Sequence, residues 1–283
     1  MDRSWYEVVV ARALVEDLGE AGDVTSRATV SEEAVAVGEI STRAGGVIAG
    51  LDVVRYVFEV VDSEVDFEPR VNDGDVVRDG AAIAEVSGSA RPILTAERTA
   101  LNLLGRMSGV ATTTARLVAA VEGTGAVISD TRKTMPGLRS LDKYAVTVGG
   151  GVNHRFGLYD AVLIKDNHLV AGQGIAAAVE AARAEVGPEM VIEVEVETLE
   201  QLDEVLETGA DRVLLDNMDV EMLRTAVERV GSRLTTEASG GVTLETVRAI
   251  AETGVDIISV GWITHSAPQL DIGLDFRSER GSS

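Results

Sequence analysis

From residue 126 onward the chain alternates between short apolar runs and segments with helical periodicity. Six runs, five of which end in a polar residue or glycine, predict strands at 126–130, 161–165, 191–196, 212–216, 234–241 and 257–261. Helices are predicted between them at about 139–149, 174–186, 198–208, 219–230 and 243–253. This alternation predicts a parallel sheet with helices outside it. Because a full barrel has about eight strands, we expect an incomplete α/β barrel of six to seven strands.

The first part of the chain has a mixed pattern. Amphipathic periodicity predicts helices over 4–18 and 51–62, with a loop over 19–26 between them. Short runs bounded by turn residues predict strands at 34–42, 46–50, 64–71 and 81–88. A long helical pattern over 92–122 contains Gly105 and Gly109, which predict a break into two helices. The run 270–276 predicts a last strand that returns to this part.

We therefore predict two domains. Residues 1–105, with 266–283 returning to them, form an α+β sandwich domain. Residues 106–265 form the α/β barrel, which is the catalytic domain.

The charge is strongly negative overall but locally positive. The formal net charge is -22, which argues against a nucleic-acid partner. All three lysines nevertheless lie within residues 129–168, and between Arg91 and Val170 ten Lys/Arg stand against six Asp/Glu. The clustering of all the lysines of an acidic protein in one segment indicates an anion-binding site.

A solvated helix face is the alternative explanation for these cations. It fits Arg139 and Lys143, which are four residues apart on a predicted helix. It fits poorly for the residues that flank short apolar runs, which are Arg132, Lys133, His154, Arg155 and Lys165.

The composition also excludes some kinds of site. The chain has no cysteine, which excludes disulfides, thiolate catalysis and thiolate metal sites. No apolar run approaches the roughly 20 residues of a membrane span. The first residues are amphipathic and carry acids, unlike a signal peptide. We expect a cytoplasmic protein.

The carboxyl ends of the predicted strands carry the candidate chemistry, because α/β barrels build their active sites there. Ser239, Gly240 and Gly241 lie between a strand and a helix predicted to begin near Thr243, where bare backbone amides bind phosphate. A tight turn with no bound ligand would also explain these glycines. Gly261, at the next strand end, favours phosphate.

Two acids follow neighbouring strands in the same region. Glu195 and Asp216 fit a catalytic acid/base pair, ligands of sugar hydroxyls, or Mg²⁺ ligands acting through water. An ion pair with Lys133 or Lys165 is compatible with all three.

Several long motifs in order resemble the quinolinate phosphoribosyltransferase family. They are ERTALNLLGRMSG (97–109), DTRKTMPGLRSLDKYAVTVGGGVNHR (130–155), KDNH (165–168), EVEV (193–196), LLDN (214–217), EASGG (237–241) and SVGWITHSAPQLDIGLDF (259–276). The resemblance runs from about Leu14 to Phe276. It implies that quinolinate and phosphoribosyl pyrophosphate react, with Mg²⁺, to give nicotinate mononucleotide, pyrophosphate and CO₂. At Trp262 we expect a smaller residue than the chain has.

The resemblance also implies roles for individual residues. The catalytic residues it implies are Lys133, Lys165, Glu195 and Asp216. The substrate-binding residues it implies are Arg98, Thr131, Arg132, Lys133, His154, Arg155, Lys165, Glu195, Asp216, Ser239, Gly240, Gly241, Ser259, Val260, Gly261 and His265. It implies that no side chain holds metal directly: Mg²⁺ would come with phosphoribosyl pyrophosphate and could meet Glu195 and Asp216 through water.

Within that set, the resemblance implies a division by ligand. Quinolinate is bound by Arg132, His154, Arg155 and Lys165, whereas the 5′-phosphate is bound by Ser239, Gly240, Gly241 and Gly261. Lys133 lies by phosphoribosyl pyrophosphate.

Arg98 reaches the site of a neighbouring subunit in the family. The resemblance therefore implies a homodimer or a larger even oligomer with shared active sites. Pairing of Arg98 with Glu97 is the local alternative. Two other functions also stay open: a phosphoribosyltransferase for another base, and a non-catalytic sensor of phosphorylated ligands.

Overall fold

A computed structural model describes residues 1–172 and 174–277. The chain forms two compact units, the first of Met1–Ala115, Met135–Gly150 and Ser266–Ser283, the second of Arg116–Thr134 and Gly151–His265. The last part of the predicted returning segment, 278–283, lies outside the described residues. The predicted boundary at residue 105 differs from this division because it falls inside one continuous helix. The predicted helix 139–149 also differs, since it belongs to the first unit.

The elements are as follows. A 3-10 turn, Arg3–Trp5, comes first, and the helices are α1 (Glu7–Leu18), α2 (Val24–Thr29), α3 (Leu51–Val61), α4 (Ala90–Ala120), α5 (Arg139–Val148), α6 (Asp166–Ala171), α7 (Ile175–Val186), α8 (Leu199–Val205), α9 (Val220–Val230), α10 (Val247–Ala251) and α11 (Trp262–His265). The strands are β1 (Val35–Thr42), β2 (Gly46–Val47), β3 (Asp66–Pro69), β4 (Val76–Val77), β5 (Ala82–Ser89), β6 (Val127–Ser129), β7 (Val162–Ile164), β8 (Ile192–Val196), β9 (Arg212–Asp216), β10 (Thr235–Ser239), β11 (Ile257–Ser259) and β12 (Ile272–Phe276). Within the described residues, none of these helices is long and apolar enough to span a bilayer.

The first unit is built on an antiparallel sheet in the order β12-β1-β5-β3. The chain returns to it through β12, which pairs with β1 in the register Gly38↔Phe276. Phe58 of α3 stacks on Phe67 of β3 with ring centroids 6.1 Å apart, so the apolar side of α3 covers the sheet. Burial of such aromatic rings supplies much of the stability of a unit of this size.

Helix α4 runs from Ala90 to Ala120 without a break, so the predicted break at Gly105 and Gly109 is wrong. The two glycines serve a close approach of another segment. A Cβ on Gly105 would lie 2.9 Å from the Leu270 carbonyl oxygen, and one on Gly109 would collide with the Pro268 carbonyl. Leu270 N also donates to the Gly105 carbonyl at 2.9 Å. The glycines therefore admit a backbone against the helix, which glycine permits at a modest cost in helix propensity.

Two elements of the first unit were absent from the sequence prediction. Helix α2 lies in part of the predicted loop and begins because the Asp23 side chain accepts a hydrogen bond from Ser26 N at 2.9 Å, an N-cap. Strand β4 lies in a turn-rich stretch and pairs with β2. Lys143, read as part of a solvated helix face, is instead buried.

The second unit contains the parallel sheet, in the order β6-β11-β10-β9-β8-β7. Consecutive strands are neighbours from β7 to β11, and β6 pairs with β11, so the described sheet is a barrel opened between β6 and β7. Helix α5, which connects these two strands in sequence, belongs to the first unit. The predicted incomplete α/β barrel is confirmed with six strands.

Candidate active site

A cavity of about 350 Å³ lies at the parallel sheet, and the alternation of side chains along the strands determines which strand residues line it. On β8, Ile192, Val194 and Val196 are buried on one face, so Glu193 and Glu195 share the other. The same alternation turns alternate residues of β7, β9, β10 and β11 inward. The lining is Thr131, Arg132, Lys133, His154, Arg155, Leu163, Lys165, Glu195, Leu214, Asp216, Glu237, Ser239 and Ser259.

A second cavity of about 250 Å³ adjoins the first. The two share four lining residues, Thr131, Lys133, Ser239 and Ser259. The second is otherwise lined by two loops and the start and end of α11: Gly240, Gly241, Val242, Thr243, Val260, Gly261, Trp262 and His265. The site therefore has two compartments, with Lys133 at their boundary.

The first compartment is rich in cations. Arg132, Arg155 and Lys165 all line it. The pKa of the Arg155 guanidinium is lowered, chiefly by burial and then by the positive charge of Arg132. Its Nη1 also donates to the Ala161 carbonyl at 3.0 Å, which holds the guanidinium in place. Cations held close to one another favour a bound anion, and a planar fork suits a carboxylate.

Lys165 and Glu195 form an ion pair between neighbouring strand ends. The lysine side chain is 43% exposed and that of Glu195 12%. Asp216 lines the same compartment; burial raises its pKa, and the charge of Lys165 opposes that rise. The ion pair expected as an alternative is thus present, and it remains compatible with each role considered for the two acids.

His154 lies in this compartment, but its ring nitrogens have partners inside the protein. Nδ1 accepts a hydrogen bond from the backbone N–H of Arg155 at 2.7 Å. Nε2 lies 3.0 Å from Glu193 Oε2 and 3.5 Å from Glu237 Oε2. Its own backbone N–H donates to Asp130 Oδ1 at 2.9 Å, so the ring orientation is set by neighbours on the strand ends.

The loop after β10 has the conformation that its glycines allow. Gly240 has φ 93°, and a Cβ there would collide with the side chain of Asn217. Asn217, itself at φ 56°, donates its backbone N–H to the Ser239 carbonyl at 2.9 Å. The loop backbone is therefore clamped on its neighbour after β9.

The helix predicted over 243–253 is shorter and begins at Val247. Thr243 and Thr246 exchange hydrogen bonds between backbone N–H and side-chain hydroxyl, at 2.9 and 3.3 Å, and so form a turn instead. The amides of Gly240 and Gly241 consequently lie several residues before a helix.

Gly261 permits a close approach of Lys133. A Cβ at Gly261 would lie 2.9 Å from Lys133 Cδ. The Lys133 carbonyl accepts a hydrogen bond from Thr264 Oγ1 at 2.9 Å. Trp262, larger than the resemblance implies, donates from its indole Nε1 to the Val242 carbonyl at 2.8 Å. The large ring thus supports the wall of the second compartment.

Arg98 lies apart from this set. It belongs to α4 of the first unit, whereas all lining residues of both compartments come from the second. Its side chain is 64% exposed and lies 3.8 Å from Glu97, which is the local pairing named as the alternative. The structure brings together all the other candidate residues along the two compartments.

The first unit has a cavity of its own, of about 630 Å³. Apolar side chains of α1 and α3 make up much of its lining. Its Arg91 donates to the Val30 carbonyl at 2.9 Å, so this cation holds a loop. We therefore place the chemistry in the two compartments of the second unit, where acids and cations converge.

Glu193, Glu237 and Asp130 had no role assigned from the sequence. All three are buried. The signal for two of them was the alternation itself, since Glu193 shares a strand face with Glu195, and Glu237 shares one with Ser239. Asp130 follows β6 and was visible only as a polar residue at a strand end.

The fold and site define a class: an α/β protein with a cation-lined cavity at the carboxyl ends of a parallel sheet. Family models described as quinolinate phosphoribosyl transferase match residues 23–108, as the N-terminal domain, and 110–275, as the C-terminal domain. The nicotinate-nucleotide pyrophosphorylase [carboxylating] of Mycobacterium leprae is 49% identical over 271 residues, covering 94% of this chain and 95% of its own length. The probable enzyme of that name from Bacillus subtilis is 44% identical, covering 92% and 90%.

A solved structure agrees with these relatives. The nicotinate-nucleotide pyrophosphorylase of Ehrlichia chaffeensis superposes with a TM-score of 0.93 at 38% identity, over 96% of this chain and 98% of that one. The chain belongs to the quinolinate phosphoribosyltransferase family.

Proposed function

We propose that this protein transfers the phosphoribosyl group of phosphoribosyl pyrophosphate to the ring nitrogen of quinolinate. The products are nicotinate mononucleotide, a precursor of NAD, with pyrophosphate and CO₂. The names of its relatives describe this activity for them. The observation that carries the proposal is the convergence of Arg132, Arg155 and Lys165 on one cavity. We also propose that the enzyme acts in the cytoplasm.

Quinolinate is a dianion, and the first compartment supplies its countercharges. Arg132 and Arg155 face its carboxylates as planar forks. Lys165 is held by Glu195 in the protein alone. A bound dianion competes for that ammonium group, and its release frees the Glu195 carboxylate to face the sugar. Substrate binding thereby prepares an acid for the next step.

Phosphoribosyl pyrophosphate spans both compartments in this proposal. Ser239, Gly240, Gly241 and Gly261 offer backbone amides and little bulk to the 5′-phosphate. Lys133, at the boundary, lies by the pyrophosphate. As pyrophosphate leaves, positive charge develops on the ribose, and the fixed acids Glu195 and Asp216 stabilise it. Thr131, Ser259, Val260 and His265 complete the walls.

Mg²⁺ fits the acids of the site. Glu195 and Asp216 line the same compartment, and carboxylate oxygens with water are the ligands that Mg²⁺ prefers. We propose that the ion arrives with phosphoribosyl pyrophosphate and meets these acids only through water. When bound, it offsets the charge of the leaving pyrophosphate.

The assembly we propose is a homodimer, or a larger even oligomer, with shared active sites. The exposed guanidinium of Arg98 on the first unit supports it, since a cation there can reach the site of a second copy related by a two-fold axis. The test mixes Arg98→Ala with Lys165→Ala under conditions of subunit exchange. In a mixed dimer one site carries both defects and the other neither, so activity returns to about half per dimer. No return of activity in demonstrated mixed dimers would show that Arg98 acts within its own chain.

The activity is tested by CO₂ release from quinolinate with phosphoribosyl pyrophosphate and Mg²⁺. Nicotinate in place of quinolinate is the matched control, because one carboxylate does not need the whole set of cations. Turnover of nicotinate or another base instead of quinolinate would indicate a different phosphoribosyltransferase. Tight binding of phosphoribosyl pyrophosphate without turnover of any base would indicate a sensor.

A further inference from the structure

Three titratable side chains form a buried triad beneath the first compartment: His154, Glu193 and Glu237. His154 Nε2 lies 3.0 Å from Glu193 Oε2 and 3.5 Å from Glu237 Oε2. Glu237 is 1% exposed, yet neither of its carboxyl oxygens has a hydrogen-bond partner within the described chain. Glu237 is also part of the lining of the compartment. A buried carboxyl without a hydrogen bond beside a cavity calls for an explanation.

A metal ion is the first explanation to consider, since the ligand atoms of the triad lie within 4.8 Å of one another. The hydrogen bond at His154 Nδ1 argues against it. Arg155 N donates to Nδ1 at 2.7 Å, so Nδ1 carries no proton and the neutral ring holds its proton on Nε2. An imidazole in that state cannot also bind a metal through Nε2. The triad is therefore arranged to hold protons.

The surroundings of Glu237 favour its protonated form. The residues paired with it on β9 and β11 are apolar, Leu214 and Ile257. Burial, and then the negative charge of Glu193, raise the pKa of Glu237 to about 7. The cations of the compartment are Arg132, Lys133, Arg155 and Lys165. A dianion bound to them adds further negative charge near the Glu237 carboxyl. Two ionised carboxylates side by side in this place would be costly, so one proton is retained.

We propose that Glu237 is the proton donor of the reaction and protonates the pyridine carbon that loses CO₂. This inference rests on the proposed function. When the bond between that carbon and its carboxylate breaks, the electron pair stays on the carbon, next to the positively charged ring nitrogen. The O–H bond of Glu237 then breaks and a C–H bond forms. Glu237 is left ionised and regains a proton from solvent as the product leaves.

The first test is Glu237→Gln, which keeps the shape and neutrality of the protonated acid but has no proton to give. We expect the quinolinate Kd to stay within about twofold of wild type, since neutral replaces neutral. We expect kcat to fall by about a hundredfold or more, the usual contribution of a general acid. The wild-type kcat should decline as pH rises through about 7 or somewhat higher, and this decline should be absent in the variant.

Glu193→Gln is the matched variant. It removes the charge that helps to keep the proton on Glu237. The decline of kcat should therefore move to lower pH, with activity retained below it, which a purely structural role would not produce. Wild-type kcat in Glu237→Gln, or an unchanged pH decline in that variant, would overturn the proposal. A wild-type protein that releases no CO₂ would instead refute the proposed function.

Discussion

The Lys165→Met variant tests whether Lys165 binds the substrate or serves mainly as a structural partner of Glu195. Methionine keeps most of the side-chain length and removes the charge that pairs with Glu195. Because the lysine side chain is 43% exposed, solvent screens this pair. Its loss should cost no more than about 1 kcal/mol of unfolding free energy. For a protein of this size, that lowers Tm by about 2–4 °C.

The expected loss of binding is larger. Charge-assisted hydrogen bonds contribute about 1.5–3 kcal/mol, which corresponds to a loss of quinolinate affinity of about 10- to 150-fold. The measurement is isothermal titration of quinolinate together with thermal unfolding of the same sample. Arg224→Met is the control, since it removes a half-exposed cation from an ion pair with Glu221 on α9. It should leave quinolinate affinity unchanged.

Two results would refute this reasoning. A folded Lys165→Met protein with wild-type quinolinate affinity would show that the ammonium group does not contact the substrate. A variant that unfolds far below the wild-type Tm would show that the lysine acts mainly as the structural partner of Glu195.

Four further outcomes are expected. Glu195→Ala should lower kcat far more than quinolinate affinity, which calorimetry should find unchanged or improved because Lys165 loses its competing partner; an equal loss of both would contradict this. Ser239→Asp should weaken phosphoribosyl pyrophosphate binding by about tenfold or more, since it adds an anion to a loop of backbone donors; retained affinity would place the phosphate elsewhere. Asp142→Asn should cost about 3–5 kcal/mol in urea unfolding, because it disrupts a buried pair in which Arg106 donates twice, at 2.9 and 2.8 Å; a cost below about 1 kcal/mol would show that the pair is not integral to the first unit. The raised pKa of Glu237 makes wild type lose stability as pH rises from about 4.5 through about 7, so the Tm of Glu237→Gln relative to wild type should increase between these values; a constant difference would show that Glu237 titrates normally.

Strand alternation explains why much of the site could be predicted. Lys165 ends one apolar run and Glu195 lies within another, and the alternation of side chains along a strand turns both to the common cavity. The carboxyl ends of neighbouring strands meet at one edge, which also joined Asp216 and Ser239 to them. These inferences need only local periodicity and the class of fold.

Contacts between distant residues account for what was missed. Gly105 and Gly109 suggested a helix break, but their role depends on residues 268–270, which approach from far along the chain. Lys143 was read as solvated, and its burial follows from the packing of α5 rather than from its neighbours in sequence. The proton position on His154 could not be foreseen because it depends on one backbone donor, the Arg155 N–H.

The pairing of β12 with β1 has a consequence for the order of events during synthesis. The strands of the parallel sheet, β6 to β11, are all synthesised before Ile272. One flank of β1 stays unpaired until β12 has been made, since that strand is its partner and lies far along the chain. The amino-terminal sheet is therefore expected to close only after β12 has emerged, unlike units whose strands are all close together in sequence. A nascent chain stalled before Ile272 would present an open strand edge, which chaperones or other nascent chains can bind.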